Sequence, residues 1–210
     1  MASDNRVNRK KSLAVTNRYK LVVVGDGACG KTSLLTIFKT GKFPDKYIPT
    51  IFETAVAYLI PEGATEKQDE VELTLWDTAG QESYEKLRPL SYPGSDVVLI
   101  CYSIDRPESL ANVETLWAPE IKRHCRDVPV VLVGNKTDLR ESHTSAEDDL
   151  VTSAAGTRMS NKIKATCFLE CSAKANQGVS AVFQTAAKAA IIHRHENLFV
   201  RNIKKTCLLI

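Results

Sequence analysis

Short apolar runs alternate with amphipathic stretches along most of this chain. Residues 21–24 (Leu-Val-Val-Val), ending at Gly25, have the length and β-branched composition of a buried strand. Residues 31–40 place Leu34, Leu35 and Phe38 at helical spacing. Residues 51–60 and 71–76 predict two further strands, and the turn-like segment between them, with Pro61 and Gly63, predicts a hairpin. Strands are also predicted over 97–102, 128–133 and 166–170, and helices over 110–125 and 179–196, the last rich in alanine. Buried strands alternating with helices predict an α/β fold: a six-stranded, mostly parallel sheet with one antiparallel edge strand and helices on both faces. Ligands of such sheets sit beyond the carboxyl ends of the strands, where the loops gather.

The candidate chemistry falls at those ends. Gly25-Asp26-Gly27-Ala28-Cys29-Gly30-Lys31-Thr32 fits the P-loop pattern G-x-x-x-x-G-K-[ST] in full, between a predicted strand and a predicted helix. Its glycines let the backbone curl with N–H groups inward, and the helix N-terminus adds partial positive charge. Lys31 supplies a full charge near the β- and γ-phosphates, and the Thr32 hydroxyl is placed to ligate Mg²⁺. The alternative is a chance Gly-rich turn, and the motif alone does not separate ATP from GTP.

Asp77-Thr78-Ala79-Gly80-Gln81 follows the 71–76 strand. Asp77 can hold Mg²⁺ through water, Gly80 can bring its N–H close to a γ-phosphate, and the Gln81 amide can orient an attacking water. The bland alternative for Asp77 is a strand-ending turn residue. Asn135-Lys136-Thr137-Asp138 follows the 128–133 strand. Asp138 can accept two hydrogen bonds from guanine, a donor pair that adenine lacks. Asn135 can tie its loop to the P-loop, and the Lys136 stem can cover the base. In Cys171-Ser172-Ala173-Lys174, the Ala173 N–H can meet the guanine oxygen. The order of these four motifs points to guanine nucleotide.

That order resembles the Ras-like small GTPases, and within them the chain resembles the Rho family. Residues 25–35, Leu75-Trp76-Asp77-Thr78-Ala79-Gly80-Gln81-Glu82, Leu87-Arg88-Pro89-Leu90-Ser91-Tyr92-Pro93 and Trp117-Ala118-Pro119-Glu120 carry the likeness, which covers about 19–192 and the last four residues. The resemblance implies a small G domain over 19–196, with switch I at about 43–55 and switch II at about 78–93. It implies that Thr50 meets Mg²⁺ and the γ-phosphate, that Phe43 leans on the guanine, and that Tyr47 covers the phosphates. Tyr47, Ile48, Pro49, Thr50, Ile51, Phe52, Glu53, Thr54 and Ala55 correspond to the effector region. Thr54-Ala55 stands where close Rho members have Asn-Tyr, the hairpin turn is longer than usual, and the interval from Asp138 to Cys171 leaves room only for a short Rho-type insert at about 142–157, with a helix over 145–155.

The resemblance further implies slow GTP hydrolysis with Mg²⁺, GTP/GDP cycling, and partners: exchange factors, activating proteins, a dissociation inhibitor and GTP-dependent effectors, in actin and cell-shape signalling. A hydrolysis-deficient module that stays GTP-loaded is the alternative, though Gly27 and Gln81 are both retained; an ATP-using P-loop enzyme would not need N-K-x-D. Cys207-Leu208-Leu209-Ile210 is a C-a-a-X terminus, so Cys207 is a candidate for prenylation in a flexible tail at 197–210. One lipid anchors only marginally, and Arg201, Lys204 and Lys205 add a modest basic signal.

Composition narrows the picture further. Across 210 residues, 43% are hydrophobic and 25% charged, as in a domain that buries a full core. The net charge of +3 does not suggest nucleic acid. The basic stretch at 1–18 reads as a disordered extension, with contact to an anionic membrane as its alternative. Six cysteines match no zinc spacing, no signal peptide is visible and no apolar run reaches the length of a membrane span. The expected location is the reducing cytosol, with reversible attachment to the cytoplasmic face of membranes, the plasma membrane above all.

Overall fold

The computed structural model of the chain describes residues 17–44, 50–63, 70–142 and 150–207. The expectations for residues 1–16, for Tyr47, Ile48 and Pro49, for the tip of the hairpin and for the last three residues lie outside it, as do residues 143–149 of the expected insert.

Six strands form one sheet: β1 (Arg18–Gly25), β2 (Phe52–Leu59), β3 (Val71–Thr78), β4 (Val97–Ser103), β5 (Val130–Asn135) and β6 (Cys167–Cys171). Their order is β2-β3-β1-β4-β5-β6; β2 pairs antiparallel with β3, and every other pair is parallel. The central strands are uniformly apolar because both faces of the sheet are covered. All seven residues of β4 are buried. Alternate residues feed two cores. Leu21, Val23, Leu99 and Val133 pack with helices α1 (Lys31–Thr40) and α6 (Val179–Cys207). Val22, Val24, Ile100 and Leu132 pack on the other face with Trp117, Ile121 and Met159. On β2, Ala57 and Leu59 face the first core, while Val56 and Tyr58 are exposed.

The predicted 110–125 helix begins earlier, at a proline in the first turn, and is interrupted. It comprises α2 (Pro107–Asn112), a wide π turn (Val113–Trp117) and α3 (Ala118–His124). Pro119 is the physical reason: it has no N–H, and its ring would clash with the carbonyl of Thr115 in an ordinary helix. The Ala118 N–H instead reaches back to the Val113 carbonyl. A short helix α4 (Leu139–Ser142) follows β5.

Two expectations are corrected. Of the helix expected over 145–155, residues 145–149 lie outside the described residues and 150–152 are not helical; the helix observed there is α5 (Ser153–Ile163), capped by the Thr152 hydroxyl, which accepts from Ala155 N at 3.2 Å. It belongs to the sheet layers, because Met159 and Ile163 join the second core. Gly156 allows this: a Cβ there would run into the Phe168 ring and the Tyr102 hydroxyl. The closing helix also continues past Glu196 as far as Cys207, where a flexible tail was expected. Residues 197–207 contain neither glycine nor proline, so nothing in their composition breaks the helix.

Candidate nucleotide and magnesium site

Parallel pairing brings the ends of β1, β3, β5 and β6 to one edge of the molecule, and the four motifs with them. Residues 25–30 curl between β1 and α1 with positive φ at Gly25 (140°), Ala28 (60°) and Gly30 (95°). Gly25 is required for a second reason: a Cβ there would collide with the Cys101 carbonyl of the neighbouring strand. Lys31 is buried and its Nζ donates to the Gly25 and Asp26 carbonyls at 2.8 Å each. The loop borders a cleft of about 640 Å³, whose wall includes Gly27, Ala28, Gly30, Lys31, Thr32, Phe43, Thr50, Gly80, Gln81 and Lys136.

Two residues of the P-loop motif turn their side chains away from this cleft. The Asp26 carboxylate accepts from Trp117 Nε1 at 2.7 Å and Asn112 Nδ2 at 2.8 Å. The Cys29 thiol is fully buried and faces the Cys101 carbonyl at 3.5 Å. Any phosphate contact from either residue is therefore through the main chain. Burial raises the Cys29 and Cys101 thiols and pushes Cys171 up to about 12, so all three stay protonated at neutral pH.

The three candidate metal ligands meet at one corner. The Thr32 hydroxyl donates to Asp77 Oδ2 at 2.5 Å and lies 2.7 Å from the Thr50 hydroxyl. The other carboxylate oxygen, Asp77 Oδ1, is buried and has no hydrogen-bond partner among the described residues. Burial raises the Asp77 pKa, with partial relief from the Thr32 hydrogen bond and the Lys31 charge. A buried, under-satisfied carboxylate beside two hydroxyls is a hard-oxygen set that fits Mg²⁺, whose charge would offset the desolvation of Asp77. Removing Mg²⁺ with a chelator is expected to lower the Tm of nucleotide-loaded protein by about 5 °C, one to two kcal/mol for a domain of this size. An unchanged melting curve would mean that no cation sits there.

Gly80 touches the P-loop directly. A Cβ at this position would strike the Gly25 carbonyl and lie 2.5 Å from Gly27 N. Because both neighbours are main chain, they cannot rotate aside. Gly80→Ala is expected to cost about 1–3 kcal/mol of stability, read by urea denaturation, together with weaker nucleotide binding. Gln81 is exposed at the cleft, with its Cγ 3.6 Å from where a Gly27 Cβ would lie.

At the base end, Asn135 Nδ2 donates to the Cys29 carbonyl at 2.8 Å, joining the two loops. Lys136 takes a positive φ of 68° and its Nζ pairs with Asp105 at 3.2 Å. Asp138 accepts from the Ser172 hydroxyl at 2.5 Å, and Ser172 in turn accepts from Ala175 N at 2.9 Å. The Thr137 N–H bonds the Cys171 carbonyl at 3.2 Å, so the two base-side loops support each other. Asp138, Ser172, Ala173 and Lys174 stand beside the cleft rather than in its wall, with Lys174 exposed. Phe43, 45% exposed, lies in the cleft wall. Of the effector region, Thr50, Ile51, Phe52 and Glu53 line the cleft, while Thr54 and Ala55 lie on β2.

Motif reading missed several supports of the site. Arg106, which no motif contains, donates from Nη1 to the Gly27 carbonyl at 2.8 Å. Asn112 and Trp117 hold Asp26, and Asp105 holds Lys136. Trp117 and Glu120 stood in the sequence as parts of a likeness, with no role attached. Only their proximity in space to residues distant along the chain reveals what they touch.

A parallel sheet that gathers a phosphate loop, a hydroxyl–carboxylate corner and two base-side loops at one edge defines a P-loop nucleotide-binding protein. The model of the Ras family matches residues 20–192. The chain belongs to that family and is a small Ras-like GTPase.

Proposed function

We propose that the chain is a Rho-like switch that binds GTP and GDP with Mg²⁺, hydrolyses GTP slowly and recruits effectors in its GTP state. The observation that carries this reading is the corner where Thr50 of switch I, Thr32 of the P-loop and Asp77 meet within hydrogen-bond distance. A cation and a γ-phosphate held there would tie switch I to the nucleotide, and loss of that phosphate would release it. Mg²⁺ supplies charge neutralisation on the phosphates. Thr32 and Thr50 would ligate it, and Asp77 would hold it through water. Lys31 would balance charge on the β- and γ-phosphates, Gly80 would offer its N–H to the γ-phosphate, and Gln81 would orient the attacking water. Asp138, with the Ala173 N–H, would select guanine.

Regulation by exchange factors, activating proteins and a dissociation inhibitor follows from the same reading, as does a role in actin signalling. Among the described residues no helix is long and apolar enough to cross a membrane. The anchor in this reading is a prenyl group on Cys207, holding the protein reversibly at the cytoplasmic face of membranes, the plasma membrane above all. The test is affinity capture with protein loaded with a non-hydrolysable GTP analogue or with GDP. Partners retained only in the GTP-analogue state support the switch, and identical partner sets in both states would defeat it. Cys207→Ser should move the protein from the membrane to the soluble fraction.

A further inference from the structure

Arg88 is one of the few buried charged side chains among the described residues, yet it lies in the segment that carries Gln81. Its side chain is 2% exposed and its partner Glu120 is 10% exposed. Nε and Nη2 donate to the two Glu120 oxygens at 3.2 and 2.9 Å, and the Tyr92 hydroxyl donates to the same carboxylate. Nη1, left over from that fork, donates to the main-chain carbonyl of Gln81 at 3.2 Å. The guanidinium lies over the Trp117 ring, 4.5 Å from its centroid, and Trp117 Nε1 is the donor that grips Asp26 of the P-loop. Trp117 and Glu120, three positions apart at the junction of the π turn and α3, present both groups from one helical run.

Such a carboxylate-backed guanidinium is a rigid fork, and it restrains what it touches. Gln81 needs restraint. It is exposed, and its amide sits at the end of a flexible stem that must meet a water within a fraction of an ångström. Its carbonyl is held from two sides, by Arg88 and by the Tyr84 N–H at 3.1 Å. We propose that Arg88, backed by Glu120 and Tyr92 and seated on Trp117, is a positioning residue for GTP hydrolysis: it fixes the main chain of Gln81 in register with the P-loop that Trp117 holds. This rests on the assignment of Gln81 made above.

The experiment is a double-mutant cycle read by single-turnover hydrolysis of bound GTP, with the GDP release rate measured alongside. Glu120→Gln is expected to slow hydrolysis about 10-fold while GDP release changes less than about 2-fold, and to have no further effect in a Gln81→Ala background. Should the unpaired Arg88 prevent folding, the neutral pair Arg88→Met with Glu120→Leu removes the fork without leaving a buried charge, and the same slowing is expected. Unchanged hydrolysis in a folded variant overturns the proposal, as does equal slowing with and without Gln81. If Gln81→Ala alone leaves hydrolysis unchanged, the assignment of Gln81 falls and takes this inference with it.

Discussion

Gly27→Val is expected to hold the protein in its GTP state, with hydrolysis stimulated by an activating protein reduced about 10³-fold or more. The cause is steric. A Cβ at position 27 makes ordinary contact with Gln81 Cγ at 3.6 Å, so alanine would only touch it. The two additional methyl groups of valine extend further, into the space that the Gln81 amide must occupy to orient water. They also crowd any arginine that a partner inserts. An inserted arginine is worth about 10³–10⁵-fold in this class of reaction, so its exclusion sets the size of the loss. Gln81→Leu should act similarly by removing the amide while keeping the bulk. Phosphate release from preloaded GTP, with and without an activating protein, measures both variants. Wild-type rates in either would show that Gln81 does not sit at the reacting water.

Asp138→Ala is expected to weaken GTP and GDP binding by about 10²–10⁴-fold, from the loss of two charge-assisted hydrogen bonds to guanine at about 1.5–3 kcal/mol each. The damage has a second source. Asp138 anchors the Ser172 hydroxyl at 2.5 Å, and Ser172 holds the turn that offers the Ala173 N–H. Removing the carboxylate therefore loosens both base-side loops. Competition binding against ATP separates the two effects, because a loosened but guanine-selective site would still exclude ATP. Retained affinity for GTP would mean that the base is read elsewhere.

The extent to which the fold could be read from the sequence follows the range of the interactions involved. Helix α1 was legible to the residue because its start is set by the P-loop and its end by Gly41, in the left-handed conformation at the C-terminus. Strands β1 and β4 were legible because burial on both faces demands continuous apolar runs. Helix α5 was not, because Ser, Ala, Gly and Thr dominate it and its fit depends on Gly156 meeting Phe168 and Tyr102, which are distant along the chain. The π turn was hidden within a good helical period, and Pro119 was its one visible signal.

The chain by itself determined the order of its chemistry. A phosphate loop, a carboxylate at a strand end and two base-side loops are local patterns, and each carries the backbone or side-chain requirement that makes it recognisable. What lay beyond it is which groups face the cleft and what holds them there. Asp26 turning to Trp117 and Asn112, Asp77 accepting from the Thr32 hydroxyl of the P-loop, and Arg88 reaching Glu120 thirty-two positions away are pairings between distant segments. They exist only because parallel strands deliver those segments to the same edge, and no local pattern encodes that coincidence in space.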